Sequence, residues 1–383
     1  MKVKVGVAQC TSYEQACVLA AMKEAVERAG GVSFSRGSTV LIKPNLLSNA
    51  PPERGINTHP EVIRAAIRLV RELGAKPVVA ELPGIGPESC VKEAVQWTKA
   101  VCDEEGVEFR LFNKNGFRKV EVNGRIVKEL HLPVDILEAD HIVNLPKLKT
   151  HMLTILTGAV KNLFGCLPFS QRKQIHGYGA GDEFAHALLD ILSVVKPDIS
   201  IFDAVVAMEG RGPSDGRLAN LNCIIAGADA VATDVVACWL AGWDANEVKH
   251  LAFAEDRGLG TFDIDGIEIV GKEELKPSNL APPPTSMGIA RNAPAWTHRI
   301  IYGLWKVQPK VIKSRCTGCG TCADACPTGA IRIVDGRARI ARDLCIECFC
   351  CKELCPSHAI GEKFGPVTYV RELMRRFQKR VPS

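Results

Sequence analysis

The chain has 383 residues, of which 46% are hydrophobic and 24% charged, with a formal net charge of +5. That length exceeds one small domain and predicts two or three, and the apolar fraction suffices for a packed core. So mild a positive balance does not call for nucleic acid. No apolar run approaches 18 residues and the N-terminus runs straight into a strand-like alternation, so neither a transmembrane segment nor a secretion signal is expected, and the protein is expected to be cytoplasmic.

Residues 1–275 alternate strand and helix patterns, which predicts an α/β core: a mostly parallel sheet with flanking helices. A strand at 3–8 leads through Thr11 and Ser12, either able to cap, into a helix stopped by Gly30 and Gly31. Residues 39–43 form a buried-strand pattern broken by Pro44. The helix expected at 60–73 carries Val62, Ile63, Ala66, Ile67 and Val70 on one face and ends at Gly74. A strand at 77–81, a turn at 84–87 and a helix at 88–105 continue the rhythm. Gly84-Ile85-Gly86-Pro87 has part of a dinucleotide turn, but the third glycine is missing and proline stands where the helix would begin, so a nicotinamide site is disfavoured. In the middle, Asn123-Gly124 between alternating apolar residues at 119–129 predicts a hairpin that decorates the sheet. The remaining expectations are strands at 141–145, 199–203, 221–226 and 267–270, with helices at 152–163, 184–195, 228–240 and 248–256.

Polar residues gather where these strands end, the edge at which open α/β sheets hold ligands. The strand before Lys43, Pro44 and Asn45 opens onto a loop with Thr58, His59 and Pro60. The strand before Pro146 opens onto Lys147, Lys149, Thr150 and His151, followed by Lys161 and Asn162, then Arg172 and His176. Singly, each has a plain reading: a lysine after a strand is usually solvated, and a histidine before proline usually caps. Together they concentrate positive charge and imidazole and predict a small anionic ligand. With a helix starting near Met152, its first N–H groups would add to an anion site. Lys161 would then lie about 15 Å along it from His151, bracketing an extended ligand. His151, Lys149 and Lys161 are the candidate catalytic residues, with His151 either a proton donor or an orienting group. Lys43, Asn45, His59, Asn162, Arg172, His176 and Glu209 are the candidate ligand-binding residues. Glu209 opens Glu209-Gly210-Arg211-Gly212-Pro213, whose glycines allow close backbone approach and where Glu209 and Asp203 suit an acid, base or metal ligand. A purely structural turn reads equally well there.

The strings IKPNL, THPEVIRA, NLPKLKTH and TGAVKNLFGCLP, followed by FDAVVAMEGRGP and DAVATDVVA, resemble the DUF362 family of iron-sulfur-associated proteins over about residues 38–260. The resemblance implies a shared α/β core with Lys43, Asn45, His59, Lys149, His151, Lys161, Asn162, Glu209 and Asp234 at motif positions. It implies no particular reaction. Many members lack a ferredoxin module, so the core has a task that does not always need one in the same chain.

Residues 276–295 form a proline-rich stretch expected to be a linker. Residues 296–312, with Trp296, Ile300, Ile301, Leu304 and Trp305, are expected to be an amphipathic segment docking the next domain onto the core rather than a membrane-surface helix. Then Cys316, Cys319, Cys322 and Cys326 recur as Cys345, Cys348, Cys351 and Cys355, each pair 29 residues apart and each run closed by a proline, Pro327 or Pro356. Three thiolates two residues apart can come from one tight loop, eased by Gly318 and Gly320, with the fourth arriving from elsewhere. A zinc ribbon normally takes its cysteines as two pairs per metal, which fits this spacing poorly. Residues 313–365 resemble the bacterial-type two-cluster ferredoxin module, a small α+β domain. The resemblance implies two [4Fe-4S] clusters with crossed ligation. Cys316, Cys319, Cys322 and Cys355 would hold one, and Cys345, Cys348, Cys351 and Cys326 the other. Cys350 lies off the pattern and reads as a non-ligand.

The other cysteines are scattered through helix and strand patterns, which is reduced, intracellular usage. Counting about −2 for each oxidised cubane with its thiolates lowers the net charge to roughly +1. The tail, 366–383, carries Arg371, Arg375, Arg376, Lys379 and Arg380, either a solvated face or an electrostatic dock for an acidic redox partner. These features predict an iron-sulfur oxidoreductase whose clusters pass electrons between a ferredoxin-like partner and a small anionic ligand in the core. A rival reading is a redox-linked binding or assembly protein that hands electrons or a cluster to a partner protein. A third is a metal-dependent enzyme using His59, His151 and His176. A plain electron carrier would leave the large core without a use.

Overall fold

The structure, a computed structural model, describes residues 2–84, 95–179, 181–284, 307–366 and Tyr369. The core strands are β1 (Val3–Gln9), β2 (Thr39–Pro44), β3 (Lys76–Glu81), β4 (Phe109–Leu111), β5 (Phe117–Glu121), β6 (Glu129–Pro133), β7 (His141–Leu145), β8 (Lys147–His151), β9 (Ile155–Thr157), β10 (Ile199–Glu209), β11 (Arg217–Gly227) and β12 (Ile267–Val270). The main sheet runs β12-β1-β11-β10-β7-β2-β3-β4, with β8 pairing β10 and β9 pairing β8. Along that path β11 alone, among the described residues, runs antiparallel to its neighbours. This is the mostly parallel α/β sheet expected.

A parallel strand covered on both faces is apolar continuously rather than alternately. Val40, Leu41 and Ile42 in β2 show this, each essentially fully buried. Val40 and Ile42 pack with helices α1 (Gln15–Arg28), α2 (Pro60–Glu72) and α3 (Gln96–Glu104). Leu41 faces the other layer. That layer contains α4 (Ala159–Asn162), α5 (Phe169–His176), α6 (Asp182–Val194) and α7 (Ala230–Ala241). The stripe read on α2 is buried as expected, and His59 caps the helix, its Nδ1 accepting from Glu61 N–H at 3.2 Å. The 119–129 hairpin forms a separate two-stranded sheet, β5 with β6. Its loop is held by Asp190, whose carboxylate accepts N–H bonds of 2.8 Å from Arg125, Ile126 and Val127.

The helix expected at 152–163 is not formed. β8 turns back into β9, pairing Lys149 with Thr157 and His151 with Ile155, and only residues 159–162 are helical. The cause is long-range: β10 extends to Glu209 and pairs with β8, Asp203 opposite Lys147 and Met208 opposite Lys149. Pairing of this kind overrides local helical periodicity. The anion site expected at that helix start is likewise absent. The first N–H groups of α4 are spent on the chain's own Asp234, which accepts from Ala159 at 2.5 Å and Val160 at 3.1 Å. Gly158 permits this approach, since a Cβ there would stand 2.3 Å from Asp234 Oδ1. The helix expected at 248–256 shortens to α8 (Lys249–Ala252) followed by a 3-10 turn, Glu255–Arg257.

The first part of the proline-rich stretch is packed, not free. Ser278 and Leu280 N–H groups bond to Leu240 and Ala241 carbonyls, and Trp243 Nε1 donates to Leu280 O at 3.1 Å. The rest of that stretch, residues 85–94 of the predicted turn and helix, residues 296–306 of the docking segment and nearly all of the basic tail lie outside the described residues. Residues 307–311 belong to the C-terminal module instead of a docking segment. There β13 (Val307–Val311) pairs with β16 (Ile360–Phe364), and β14 (Ile331–Val334) with β15 (Arg337–Ile340). Two short helices, α9 (Thr321–Asp324) and α10 (Cys350–Glu353), complete the module.

The module caps the sheet edge where β2 and β3 end. Met152 of the β8–β9 turn packs with Val307, Phe349 and Phe364. Lys173 Nζ donates to Asp324 O at 2.6 Å, and the buried Lys352 donates to Arg211 O at 3.3 Å while pairing with Asp215 and Glu362. No described helix is long and apolar enough to cross a membrane.

Candidate functional site

The cysteines of the two runs interleave in space. The thiols acting on Cys322 are Cys355, Cys319 and Cys316; those acting on Cys351 are Cys348, Cys345, Cys322 and Cys326. A compartment with an empty volume of ≈ 290 Å³ is lined by Cys326, Cys345, Cys348 and Cys351, three from one run and one from the other. Backbone N–H groups already point at the sulfurs: Ala330 to Cys326 Sγ and Ala359 to Cys355 Sγ at 3.2 Å, and Ala338 to Cys316 Sγ at 3.4 Å. Convergent thiolates with N–H donors on sulfur are the donor set that suits an iron-sulfur cluster. Cys319 is exposed, whereas Cys326, Cys348 and Cys351 are buried.

Between core and module lies a cavity with an empty volume of ≈ 770 Å³. It gathers Lys43, Asn45, Lys149, His151, Lys161, Asn162, Arg172 and His176 from the core, and Cys350 and Glu353 from the module. In β8 the side chains of Lys147, Lys149 and His151 share one face at the strand period of two, and the hairpin with β9 then returns Lys161 to the same cavity.

The charged groups differ in how far they are already engaged. Lys43 pairs with Glu81, both fully buried, and also donates to Pro44 O at 3.2 Å. Burial pushes the Glu81 carboxyl up, against the pull of Lys43. Lys149 Nζ donates to Ile56 O at 2.6 Å, and burial lowers its ammonium to about 7. Lys161 has no hydrogen-bond acceptor among the described residues; it lies 4.4 Å over the Phe164 ring and 5.8 Å over that of Phe184. Burial brings it down to about 8, with Glu353 pulling the other way. Such values near neutrality suit groups that exchange protons in a cleft.

His151 Nδ1 accepts N–H bonds from Leu153 at 3.1 Å and Thr154 at 3.4 Å, so its proton sits on Nε2. Nε2 lies 3.0 Å from Glu353 Oε1. Burial would raise the Glu353 carboxyl, but His151, His176 and Lys161 outweigh it and hold it down to about 2. His176 Nδ1 lies 2.8 Å from Arg172 O and donates to it, leaving Nε2 as an acceptor with no partner. Asn45 Oδ1 and Thr157 Oγ1 are also buried and unpartnered. These three atoms, on His176, Asn45 and Thr157, are unpartnered among the described residues and belong to residues lining the cavity.

Two binding candidates in the cavity wall are structural in detail. Arg172 gives its guanidinium to backbone carbonyls, Leu167 O at 2.7 Å, Leu82 O at 2.9 Å, Pro83 O at 3.5 Å and Gly165 O, which stitches the β3 exit to the segment before α5. Replacing Arg172 by leucine strands these carbonyls and should destabilise the fold by about 3–5 kcal/mol, read as a lower denaturation midpoint. Asn162 bridges strand ends, donating to Asn144 Oδ1 at 2.8 Å and accepting from Asn45 Nδ2 at 3.1 Å.

Two others lie elsewhere. His59 stacks on Tyr13, ring centroids 3.6 Å apart, beside the buried Lys147–Asp203 pair. Glu209 pairs with Arg217 and accepts from Ala281 N–H at 2.5 Å, so it fastens residue 281 to the core. His59, His151 and His176 therefore do not form one histidine set. Glu81, Thr157, Cys350 and Glu353 line the cavity although nothing in the strand-end pattern marked them. Nothing in the sequence tied Glu353 or Cys350 to the core, because they reach it only through domain docking.

Burial lowers the His176 imidazole from 6.5 to about 4. The stability of its neutral form is fully present above about 6.5 and is lost as pH falls toward about 4, at a cost of up to about 3 kcal/mol. Denaturation midpoints should fall from about pH 7 to about pH 5, and His176→Phe should flatten that slope.

The fold and site define a class, an α/β core joined to a cysteine-rich iron-sulfur module. Residues 40–239 match the family described as a domain of unknown function (DUF362), and the chain belongs to that family. Residues 309–332 match a 4Fe-4S binding domain, so the protein is an iron-sulfur protein. A thylakoid-associated protein of Synechocystis sp. is 33% identical over 261 residues, covering 67% of this chain and 79% of that protein. Among solved structures, the lactate racemase apoprotein from Thermoanaerobacterium thermosaccharolyticum aligns with a TM-score of 0.39 at 14% identity. That alignment covers 61% of this chain and 55% of the racemase chain.

Proposed function

We propose that the protein holds two [4Fe-4S] clusters, ligated in the crossed sets named above, and exchanges electrons between them and a small anionic ligand in the cavity, in a reductase-type reaction. The observation that carries this reading is Cys350, which lines both the cavity and the sulfur compartment of Cys326, Cys345, Cys348 and Cys351. A single side chain thus separates the place for a ligand from the place for a cluster. The exposed Cys319, in the other set, is the natural side for a ferredoxin-like partner. The reading places the protein in the cytoplasm, where buried thiols such as Cys102 and Cys238 stay reduced.

When bound, the clusters supply electrons one at a time, two per turnover. The chain supplies the two accompanying protons and the orientation. Lys161, with no acceptor of its own, and Lys149, with one N–H engaged, hold the anionic group and carry transferable protons. His151 holds a proton at Nε2 beside Glu353. Among the described residues, Asn45 Oδ1 and His176 Nε2 are acceptors without donors. Leaving buried acceptors unmade is costly, so the ligand that fits brings hydroxyl, amine or amide donors as well as negative charge.

A panel of small hydroxy, amino and unsubstituted acids, added to the anaerobic holoprotein, tests the site by melting temperature. At least one donor-bearing acid should raise it in the wild type and not in Lys161→Met. Equal shifts in both proteins, or none in either, would remove the ligand site and favour delivery of electrons to a partner protein.

A further inference from the structure

Far from the cysteine-rich module, two other cysteines of the core meet. Cys10 directly follows β1, its N–H bonded to Asn222 O at 2.7 Å, and Cys17 stands in the first turn of α1. Their Sγ atoms are 3.8 Å apart. Cys10 is buried and Cys17 partly exposed. We propose that Cys10 and Cys17 form a reversible redox dithiol, oxidised to an intramolecular disulfide by low-molecular-weight disulfides, with Cys17 attacking and Cys10 resolving.

The two sulfurs are differently prepared. At Cys17 burial works to raise the thiol, but Ser12 and Thr11 N–H groups and the Cys10 thiol outweigh it and lower it. Cys10 is pushed up to about 12, by burial first and by Cys17 second. The accessible thiol is thus the better thiolate, the arrangement that starts thiol–disulfide exchange. The steps balance. Cys17 thiolate attacks one sulfur of an external disulfide, forming a mixed disulfide and releasing one external thiolate. Cys10 then loses its proton and attacks Cys17 Sγ, closing the internal bond and releasing the second external thiol. Two protein thiols are oxidised by two electrons and one external disulfide is reduced. Closure would take the sulfurs from 3.8 Å to about 2.05 Å.

The bond would lock the loop 11–16, which carries Tyr13. Tyr13 donates to Asp203 Oδ1 at 2.8 Å, accepts from Lys147 Nζ at 2.7 Å and stacks on His59. Lys147 begins β8, the strand that presents Lys149 and His151 to the cavity. The dithiol therefore sits at the far end of a continuous set of contacts leading to the cavity, yet it stands whether or not the cavity binds an anion.

The test treats the anaerobic holoprotein with oxidised glutathione, measures its iron, then unfolds it, blocks remaining thiols with iodoacetamide and maps the peptides. The expected result is a Cys10–Cys17 linkage with loss of both alkylated forms, unchanged iron content and full reversal by dithiothreitol. Cys10→Ser should stop at a glutathione adduct on Cys17, and Cys17→Ser should leave Cys10 alkylatable only after unfolding. Wild-type protein in which both thiols remain alkylatable, or in which Cys17 keeps the glutathione adduct, would overturn the proposal.

Discussion

Replacing Cys326 by alanine should cost the protein the cluster proposed on Cys345, Cys348 and Cys351, although Cys326 stands in the other run of the sequence. The wild type should contain about eight irons and eight acid-labile sulfides per chain, and Cys326→Ala and Cys351→Ala should each retain about four. Their residual spectra should match each other and differ from that of Cys322→Ala, which should remove the other proposed cluster. Cys350→Ser should leave the iron count unchanged, since Cys350 lies off the repeated cysteine spacing. If Cys326→Ala and Cys322→Ala leave the same spectrum, ligation is not crossed. The compartment lined by Cys326 together with Cys345, Cys348 and Cys351 is the reason for expecting otherwise.

The second large effect falls on ligand binding. Lys161→Met should weaken binding of any acid the cavity accepts by roughly 30- to 150-fold, the equivalent of one charge-assisted hydrogen bond of about 2–3 kcal/mol. It should do so without loss of stability or iron, because Lys161 forms no ion pair among the described residues and burial already disfavours its charge. Lys149→Met should weaken binding comparably but also lower stability, because the Lys149 bond to Ile56 O is lost. Isothermal titration of the holoprotein with acids that shift its melting temperature separates the two. Equal affinity in wild type and Lys161→Met would place the anion elsewhere.

Much of the core was legible because its signals are local. Continuous apolar runs marked β2 and β7, and the stripe on α2 marked its buried face. What failed was the region where pairing is long-range. Residues 152–163 contain helix-forming spacing, yet β10 runs on to Glu209 and captures β8. The alternation Lys147-Leu148-Lys149-Thr150-His151 did carry a strand signal, with three polar groups on one face, and it is that period of two that aims Lys149 and His151. Lys43, Lys149, Lys161, His151 and His176 do meet in one cavity, but Lys147 is paired with Asp203, His59 is spent on capping and stacking, and Glu209 on holding residue 281. Arg172 looked like an anion ligand by charge, whereas its guanidinium is saturated by carbonyls, which no single-residue signal can reveal. Glu353 and Cys350 enter only when the module docks.

The most direct measurement is the reoxidation rate of the reduced holoprotein under anaerobic conditions, followed by cluster absorbance in a stopped-flow instrument, across a panel of small donor-bearing acids. At least one acid should accelerate reoxidation of the wild type with a two-electron product, and the acceleration should vanish in Lys161→Met while its iron content and spectrum stay those of the wild type. Reoxidation that no acid accelerates while cell proteins do, or that Lys161→Met leaves unchanged, would contradict a ligand-reducing cavity between core and module.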